Sequence, residues 1–390
     1  MPKVFITSAV RTPIGKFKGS FSQLSAVDLG SLAIHQSLIR SHLQPDDVLE
    51  VIMGQTLQAG CGQNPARQAA LKAGCPETTP AVTVNQVCGS GLRSIAMGYQ
   101  SVMLDGDQIV VCGGQESMTN SPHCIKMRAG CSMGDQTLKD IMMEDGLSCK
   151  ICDQKMGWTA ENIAQKYEIS REDQDKFAYN SHLKAHKAQT DFKFKDETIG
   201  MSELCTNEQI RSNISLERLA KLKVIFTEGR KAEMCTVTAG NSCSINDGSS
   251  AVTLMSEENC LKRNLKPLAE IVSWSQVGVS PEIMGMGPVE AVKKALKKAN
   301  WMVGEVDLFE INEAFASQSL ACIRELGLDE EKVNVNGGAI ALGHPIGCSG
   351  CRIVVTLVHE MNRRKGSQKG VAAICVGGGM GLAVCLEKRG

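Results

Sequence analysis

Apolar residues recur at two different periods along the chain, and they predict alternating helices and strands. Short apolar runs that favour strands lie at residues 51–55 and 308–312. A helical spacing precedes each run, formed first by Leu32, Ile39 and Leu43 and later by Val289, Val292, Leu296 and Ala299. Glycine-rich turns separate the apolar runs, which is typical of an α/β protein.

These two helix–strand units belong to an internal repeat. Val48 precedes the first strand and Val306 the second, at an offset of 258 residues. Residues 90–93 resemble 349–352 at an offset of 259, and residues 109–114 resemble 373–378 at an offset of 264. Three ordered matches predict two copies of one α/β unit, although α/β proteins share such patterns in general.

A segment of different composition separates the copies. Residues 119–247 are polar and rich in lysine and methionine, and Ser170 followed by Asp173 predicts a helix start within them. We predict an N-terminal half at 1–118, with about 248–269 completing its sheet, and a C-terminal half at 270–390. The inserted segment is expected to cover the ligand site as a loop domain.

Composition excludes several classes of function. Of the 390 residues, 43% are hydrophobic and 22% charged, and Lys+Arg and Asp+Glu both number 42, so the net charge is +0. A neutral chain has no overall field for nucleic acid or an anionic membrane, and no apolar run approaches the roughly 18 residues of a membrane span. Without a recognisable targeting signal, we expect a cytoplasmic protein whose 17 scattered cysteines are reduced thiols.

Cys88 is the first candidate for chemistry. It follows an apolar run at a glycine-flanked turn, Asn-Gln-Val-Cys-Gly-Ser-Gly at residues 85–91, and a helix is predicted to begin there. The arrangement is of the nucleophile-elbow type, in which the positive end of the helix dipole is expected to lower the pKa of the thiol. The alternative is a buried cysteine at a tight turn.

Three more positions have residue types suited to acyl chemistry. His344 lies in a glycine-rich loop beside the place equivalent to Cys88, which suits a Cys–His pair. Cys375 ends an apolar strand before three glycines, whose amides could hold an oxyanion. Asn312 follows a strand at the sheet edge where α/β proteins bind ligands. Structural roles in loop, core and turn are the alternatives.

Two Cys-x-x-Cys pairs, at residues 149–152 and 348–351, raise the question of a metal or redox site. They are separated by about 200 residues, the second opens a predicted helix, and no histidine cluster supports either pair. We therefore expect no metal site.

Together these segments resemble the thiolase family. Residues 85–91, Asn-Glu-Ala-Phe at 312–315, Gly-His-Pro-Ile-Gly at 343–347 and Cys-Val-Gly-Gly-Gly-Met-Gly at 375–381 follow the family's order and spacing. The resemblance covers essentially the whole chain and is closest to the biosynthetic, cytosolic-type branch, the acetyl-CoA C-acetyltransferases. It implies an α/β thiolase fold, with two pseudo-equivalent five-stranded domains layered as α-β-α-β-α and an inserted loop domain.

The resemblance also implies catalytic roles. Cys88 would carry the acetyl group, His344 would activate that thiol, and Cys375 would act as the second acid/base. Asn312 would hold a water that completes one oxyanion site with His344. The backbone N–H groups of Cys88 and Gly377 would form the other oxyanion site.

Coenzyme A is expected beneath the middle segment as substrate and product, with no cofactor. By similarity it and the acyl group would contact Arg211, Ala239, Cys243, Ser244, Met156, Met284 and Phe315. Core packing is the alternative for the last three. Cys243 replaces a serine that commonly bonds the pantetheine arm, and a thiol is a weaker hydrogen-bond partner. Lys155 stands where the family often has histidine.

The function implied is a reversible condensation of two acetyl-CoA to acetoacetyl-CoA and CoA through an acetyl-Cys88 intermediate. Two alternatives stay open: a degradative 3-ketoacyl-CoA thiolase of broader chain length, and a non-catalytic CoA-binding protein with this fold. The resemblance further implies a homotetramer joined through residues 123–146, and we expect neither nucleic acid nor a membrane as partner.

Overall fold

The computed structural model describes residues 2–229 and 231–389. Its strands are β1 Val4–Arg11, β2 Gly15–Lys16, β3 Glu50–Gly54, β4 Ala81–Val84, β5 Val110–Ser117, β6 His123–Cys124, β7 Lys139–Asp140, β8 Ser148–Cys149, β9 Gln154–Lys155, β10 Asn246–Ser256, β11 Ala269–Gly278, β12 Leu308–Ile311, β13 Lys369–Val376 and β14 Met380–Glu387.

The helices alternate with these strands. They are α1 Ala26–Arg40, α2 Pro65–Lys72, α3 Ser90–Leu104, α4 Met156–Lys166, α5 Arg171–Thr190, α6 Leu216–Ala220, α7 Glu257–Lys262, α8 Gly287–Ala299, α9 Ala316–Leu326, α10 Ala339–Leu342 and α11 Ile346–Arg363. None of these helices combines the length and the apolar composition that a membrane crossing requires.

One continuous sheet holds the two copies of the repeat. Its order is β12-β13-β14-β11-β1-β10-β5-β3-β4, with β2 beside β10. In the N-terminal half β5 is parallel to β3 and antiparallel to β10, which is in turn antiparallel to β1. In the C-terminal half β13 is likewise parallel to β12 and antiparallel to β14, which is antiparallel to β11. The copies meet where β1 pairs with β11 over two positions, Phe5 with Glu270 and Ile6 with Ala269.

The repeat extends to irregular details. The pairing of β1 with β10 shifts register between Ile6 and Ser8, and the pairing of β11 with β14 shifts between Ile271 and Ser273. The same bulge therefore recurs at equivalent places. The halves differ at the outer edge of the sheet. On that side β3 pairs with the full strand β4, whereas β12 forms only a single bridge, between Phe309 and Val333.

The layers follow the α-β-α-β-α order. Helices α1 and α2 cover one face of the N-terminal half of the sheet, and α8 covers the opposite outer face of the molecule on the C-terminal half. Helices α3 and α11 lie in the middle layer and touch at glycines: a Cβ on Gly350 would lie 2.4 Å from the backbone nitrogen of Leu92. Only glycine permits this approach between the two equivalent helices.

Helix α1 forms where the spacing predicts it, but the predicted apolar positions are not its buried face. Leu32 and Ile39 are exposed, and Leu43 is buried beyond the last helical residue. The buried face instead carries Leu29, Ile34 and Leu38, together with small residues such as Ala33. The prediction for α8 is confirmed at Val289, Val292 and Leu296, which are buried, whereas Ala299 at the end of the helix is only partly buried.

The inserted segment contains two short hairpins, β6–β7 and β8–β9, and helices α4 to α6. Ser170 caps α5 by accepting a hydrogen bond from the Asp173 backbone nitrogen (3.0 Å), as predicted. The proposed division at 118/119, 247/248 and 269/270 stays a prediction. Near these positions β5 ends at Ser117, β10 begins at Asn246 and β11 begins at Ala269.

Candidate active site

Cys88 lies on a strained turn between β4 and α3. The preceding residue, Val87, has a φ of 47°, a left-handed conformation that costs a β-branched residue about 1–3 kcal/mol. Neighbours hold it there: the Val87 N–H donates to Asn85 Oδ1 (3.0 Å), and its carbonyl accepts from Ser90 Oγ (2.6 Å) and Thr56 Oγ1 (3.1 Å). The elbow predicted from the sequence is present.

The charge state of Cys88 differs from the expectation. Burial raises the pKa of this thiol to about 11, although the N–H groups of Gly377 and of Cys88 itself oppose the shift by hydrogen bonding to the sulfur. The predicted lowering by the helix dipole is wrong, because the side chain is only 9% exposed and desolvation outweighs the dipole. The resting group is therefore a neutral thiol.

His344 lies between α10 and α11 and is also neutral. Burial, together with the nearby Arg352 charge, lowers its pKa to about 3. Its Nδ1 lies 2.6 Å from Ser349 Oγ. The Ser349 hydroxyl donates to the Pro345 carbonyl (3.0 Å), so we assign the proton to Nδ1 and the free lone pair to Nε2. Nε2 has no hydrogen-bond partner among the described residues.

The residue before His344 must be a glycine because of the backbone conformation at the start of this loop. Gly343 has a φ of 109°, and a Cβ there would lie 2.4 Å from the side chain of Asn246. The same Asn246 accepts a hydrogen bond from the His344 backbone nitrogen through Oδ1 (3.0 Å). The orientation of the histidine loop therefore depends on β10, a strand of the other half.

Asn312 directly follows β12 and is completely buried. Its backbone N–H donates to the Ala373 carbonyl (2.9 Å), but neither Oδ1 nor Nδ2 has a partner within residues 2–229 and 231–389. A buried amide without partners is costly in a fold, and such groups mark places where a polar ligand or water is bound.

Cys375 occupies the penultimate position of β13 and belongs to a cluster of thiols. Burial raises its pKa well above the ordinary value, and the nearby Cys88, Cys322 and Cys243 thiols add to the shift. The pKa of Cys243 is raised too, first by burial and then by Cys88. Beyond Cys375 the chain turns through Gly378 and Gly379, both with a φ of 86°.

A cavity of about 670 Å³ extends outward from this cluster. Of the predicted residues, its wall carries His344, Arg211, Ala239, Cys243, Ser244, Met156 and Phe315. Cys88, Asn312, Cys375, Gly377 and Met284 do not line it. Met284 packs with Met156 and Phe315 around Cys375 instead, so the three predicted acyl-pocket residues do meet in one cluster.

The outer part of the cavity carries positive charge. Lys16 and Arg211 line it together with His182. The Arg211 backbone nitrogen donates to His182 Nδ1 (3.2 Å), and burial, with the Arg211 charge, lowers the pKa of His182 to about 4. Lys155 also lines the wall, where its Nζ is 3.0 Å from Glu228 Oε1.

The family model "Thiolase, N-terminal domain" matches residues 4–258, and "Thiolase, C-terminal domain" matches residues 265–388. The chain belongs to the thiolase family.

Individual thiolases match over the full length. An acetyl-CoA acetyltransferase of Paracoccus denitrificans is 49% identical, with 100% of both chains covered. A cytosolic acetyl-CoA acetyltransferase of Mus musculus is 47% identical over 99% of this chain and 98% of its own. The crystal structure of human mitochondrial 3-ketoacyl-CoA thiolase in complex with CoA is 41% identical, has a TM-score of 0.96 and covers 100% of this chain and 98% of that one.

In this thiolase a buried carboxylate, Glu116, connects the Cys88 elbow with the loop that carries His344. It accepts hydrogen bonds from the backbone nitrogens of Thr56 (3.0 Å), Leu57 (3.1 Å) and Gly347 (2.8 Å). Thr56 also bonds the elbow at Val87, and Gly347 follows the His344 loop. Burial raises the pKa of Glu116 to about 7, against the effect of these donors.

Sequence reasoning missed the supporting residues of this thiolase site. Nothing in the sequence pattern around Glu116 indicates a supporting role, and Ser349 is distinguished only by its place in the repeat and between the cysteines at 348 and 351. Lys16 and His182 carried no signal, because their place in the cavity depends on segments far apart in the chain. No group of three potential metal ligands occurs in the part of the chain that the structure describes.

Proposed function

We propose that this thiolase is an acetyl-CoA C-acetyltransferase, an acyltransferase that condenses two acetyl-CoA reversibly to acetoacetyl-CoA and CoA. The observation that carries the proposal is the pairing of two buried thiols, Cys88 at the elbow and Cys375 at a strand end, with the Gly377 N–H directed at the Cys88 sulfur. Two thiols suit a reaction that needs one nucleophile and one separate base.

In the first half-reaction the Cys88 sulfur attacks the thioester carbonyl of acetyl-CoA while His344 Nε2 accepts the thiol proton. The oxyanion that forms is stabilised by the backbone N–H groups of Cys88 and Gly377. Collapse of the tetrahedral intermediate breaks the bond from the carbonyl carbon to the CoA sulfur. The leaving thiolate takes the proton of the Cys375 thiol, so Cys375 becomes a thiolate while His344 keeps the Cys88 proton on Nε2. The neutral state of both groups supports a transfer within the pair.

In the second half-reaction the Cys375 thiolate removes a proton from the methyl group of another acetyl-CoA. The enolate oxygen accepts hydrogen bonds from protonated His344 Nε2 and from a water on Asn312, and the enolate carbon attacks the acetyl carbonyl on Cys88. The Cys88 sulfur then leaves, takes the proton from His344, and acetoacetyl-CoA is released. The unpartnered Asn312 amide and His344 Nε2 support this assignment, since each is a buried polar group available to a ligand.

Coenzyme A acts here as substrate and product, and no cofactor is proposed. The nucleotide end of CoA would lie near Lys16 and Arg211, whose charges suit phosphate groups, and the pantetheine arm would pass Ala239, Cys243 and Ser244. Ser244 Oγ donates to Asn246 Oδ1 (2.7 Å) and so is already engaged. Cys243 is left as a weak partner for the arm.

A degradative 3-ketoacyl-CoA thiolase is the second candidate, favoured by the TM-score of 0.96 to such an enzyme. Sequence identity favours the acetyl-CoA acetyltransferase, since it is 49% to the Paracoccus denitrificans acetyl-CoA acetyltransferase and 41% to the 3-ketoacyl-CoA thiolase. The cluster of Met156, Met284 and Phe315 around Cys375 also favours a short acyl group, because these bulky side chains fill the space beside the thiol.

We further propose a cytoplasmic homotetramer that acts in lipid metabolism and is joined through the β6–β7 hairpin. This hairpin exposes Ile125, Met127, Met133 and Leu138, an apolar surface suited to association between copies. The mass of the native protein by light scattering should equal four chains. A monomer at assay concentrations would refute the assembly.

The experiment that tests the function is cleavage of acetoacetyl-CoA by CoA, with the wild type and Cys88→Ser in parallel. Mass spectrometry of the quenched protein should find an acetyl group on Cys88 of the wild type alone. Cys205→Ser is the matched control, since that thiol is exposed and lies outside the site. Wild-type protein that binds CoA but never becomes acetylated would refute the enzyme reading, and equal rates with longer ketoacyl-CoAs would favour the second candidate.

A further inference from the structure

A second pair of thiols lies beside the reaction site, in the β8–β9 hairpin. Cys149 pairs with Gln154 in this hairpin, and residues 150–153 form the turn. Cys149 is 5% exposed and packs in the same cluster as Cys375 and Met156, while Cys152 packs against that cluster from the partly exposed turn. The pair is therefore close to both the surface and the catalytic thiols.

The two sulfur atoms are hydrogen-bonded to each other, and Cys149 also receives backbone donors. The N–H groups of Cys152, Ile151 and Gly378 point at the Cys149 sulfur, and the Cys152 thiol donates to it. Burial disfavours the Cys149 thiolate, but these four donors outweigh it, so the pKa of Cys149 is lowered. Burial, and then the contact with Cys149, raises the pKa of Cys152 to about 11.

The roles of the two thiols are thus divided in the way that a redox pair requires. The surroundings of Cys149 favour its thiolate form, which is the attacking species, and Cys152 is a protonated thiol in the four-residue turn that follows Cys149. The catalytic cluster is the reverse case, because burial raises the pKa of Cys88, Cys243 and Cys375. A weak oxidant should therefore react first at Cys149.

The hairpin also touches the turn that carries the oxyanion donor. Gly378, whose N–H binds the Cys149 sulfur, directly follows Gly377, whose N–H binds the Cys88 sulfur. A Cβ on Gly378 would lie 3.7 Å from Ile151 Cδ1, so the two turns are packed together. A change at the Cys149 sulfur therefore acts on Gly378 and, through the backbone, on the adjacent Gly377, which donates to the Cys88 sulfur.

We propose that Cys149 and Cys152 form a redox-active dithiol, which a small hydroperoxide converts to an intramolecular disulfide, and that this closure slows the adjacent acyl-transfer site. The disulfide removes the Cys149 thiolate as acceptor for the Gly378 N–H and so loosens the turn through Gly377. The slowing of turnover rests on the proposed function, whereas the formation of the disulfide does not.

The chemistry balances in two steps. The Cys149 thiolate attacks one peroxide oxygen, the O–O bond breaks, and hydroxide or alkoxide leaves while Cys149 becomes a sulfenic acid. The Cys152 thiol then attacks the sulfenic sulfur, the S–O bond breaks and water leaves as the disulfide forms. The two thiols lose two electrons in total, the peroxide gains them, and an added dithiol reverses the change.

The test treats the reduced protein with hydrogen peroxide, then maps disulfides by differential alkylation and mass spectrometry and measures turnover. We expect a Cys149–Cys152 disulfide, a several-fold loss of activity and full recovery with a dithiol. Before peroxide is added, Cys152→Ser should be as active as the reduced wild type. After peroxide treatment its oxidation should end at a sulfenic acid on Cys149, whereas Cys149→Ser should form neither the sulfenic acid nor the disulfide. Cys205→Ser is the matched control and should oxidise like the wild type.

Other results would overturn the proposal. A disulfide mapped among Cys88, Cys243 and Cys375, with residues 149 and 152 still reduced, would place the sensitive thiols in the catalytic cluster. A Cys149–Cys152 disulfide with unchanged turnover would refute the coupling to the active site. If the reduced protein had no thiolase activity, the proposed function would fail, but the disulfide map would still decide whether the dithiol exists.

Discussion

Replacing Asn312 with alanine should abolish most activity and leave the stability of the protein nearly unchanged. The side chain is completely buried, yet neither amide atom bonds to any described residue. A buried polar residue of this kind normally contributes hydrogen bonds to the fold, and its removal then costs about 1–3 kcal/mol for each partner left unpaired. Asn312→Ala leaves no side-chain partner unpaired, so that cost does not arise.

The magnitudes can be worked out for both quantities. The 390-residue chain has an unfolding entropy of about 0.8 kcal/mol/K, so 1 kcal/mol shifts Tm by about 1 °C. Removing the amide loses packing contacts, which destabilises the fold, but it also removes the cost of burying an unpaired polar group. Because the two effects oppose each other, we expect the Tm of Asn312→Ala to stay within about 2 °C of the wild-type value. Loss of one oxyanion-site contributor typically lowers kcat by about 100- to 1,000-fold.

The assay pairs thermal unfolding with steady-state cleavage of acetoacetyl-CoA, and Asn241→Ala serves as the stability control. Asn241 is equally buried, but its amide bonds the Thr238 nitrogen (2.8 Å), Asp175 Oδ1 (3.0 Å) and the Thr236 carbonyl (3.0 Å). That variant should lose several degrees of Tm. If Asn312→Ala lost as much Tm as the control while kcat stayed within an order of magnitude of wild type, Asn312 would be a structural residue.

Four further predictions rest on the same structure. Neither His344 nor Cys88 should add a limb to the pH dependence of acetyl transfer between about 5 and 9, because their pKa values are about 3 and about 11. Any limb near 7 in single-turnover rates should come from Glu116 and disappear in Glu116→Gln, and a limb near 6.5 that persists in that variant would contradict the assignment. His344 should make stability fall as pH drops from 6.5 toward 3, because His344 takes up a proton in that window only in the unfolded state. The difference between acid titrations of Tm for the wild type and His344→Gln separates this contribution from those of His182 and Glu116. Gly350→Ala should cost about 1–3 kcal/mol by overpacking the contact between α3 and α11, whereas Gly304→Ala, with open space around it, should leave Tm unchanged. Arg211→Ala should raise the KM for CoA several-fold at nearly constant kcat, and a fall in kcat alone would place Arg211 outside the binding site.

Much of the fold was predictable because it depends on local patterns. The helix spacing at Val289, Val292 and Leu296, the cap at Ser170 and the elbow at Cys88 are features of short segments, and each is present. The orientation of α1 was predicted wrongly. Its buried face combines Leu29, Ile34 and Leu38 with small side chains against β10 and α2, whereas the spacing selected Leu32 and Ile39, which are exposed.

The sequence by itself determined that this thiolase contains two copies of an α/β unit. It also determined which chemical groups the site uses, through the motifs that hold Cys88, His344 and Cys375. Tertiary structure alone decided which of those groups carry charge. Burial keeps Cys88 and His344 neutral, whereas Cys149, which the sequence presents as an unremarkable Cys-x-x-Cys residue, gains a donor from distant Gly378. The pKa of a group depends on the solvent and donors around it, and folding brings these together from segments far apart in the chain.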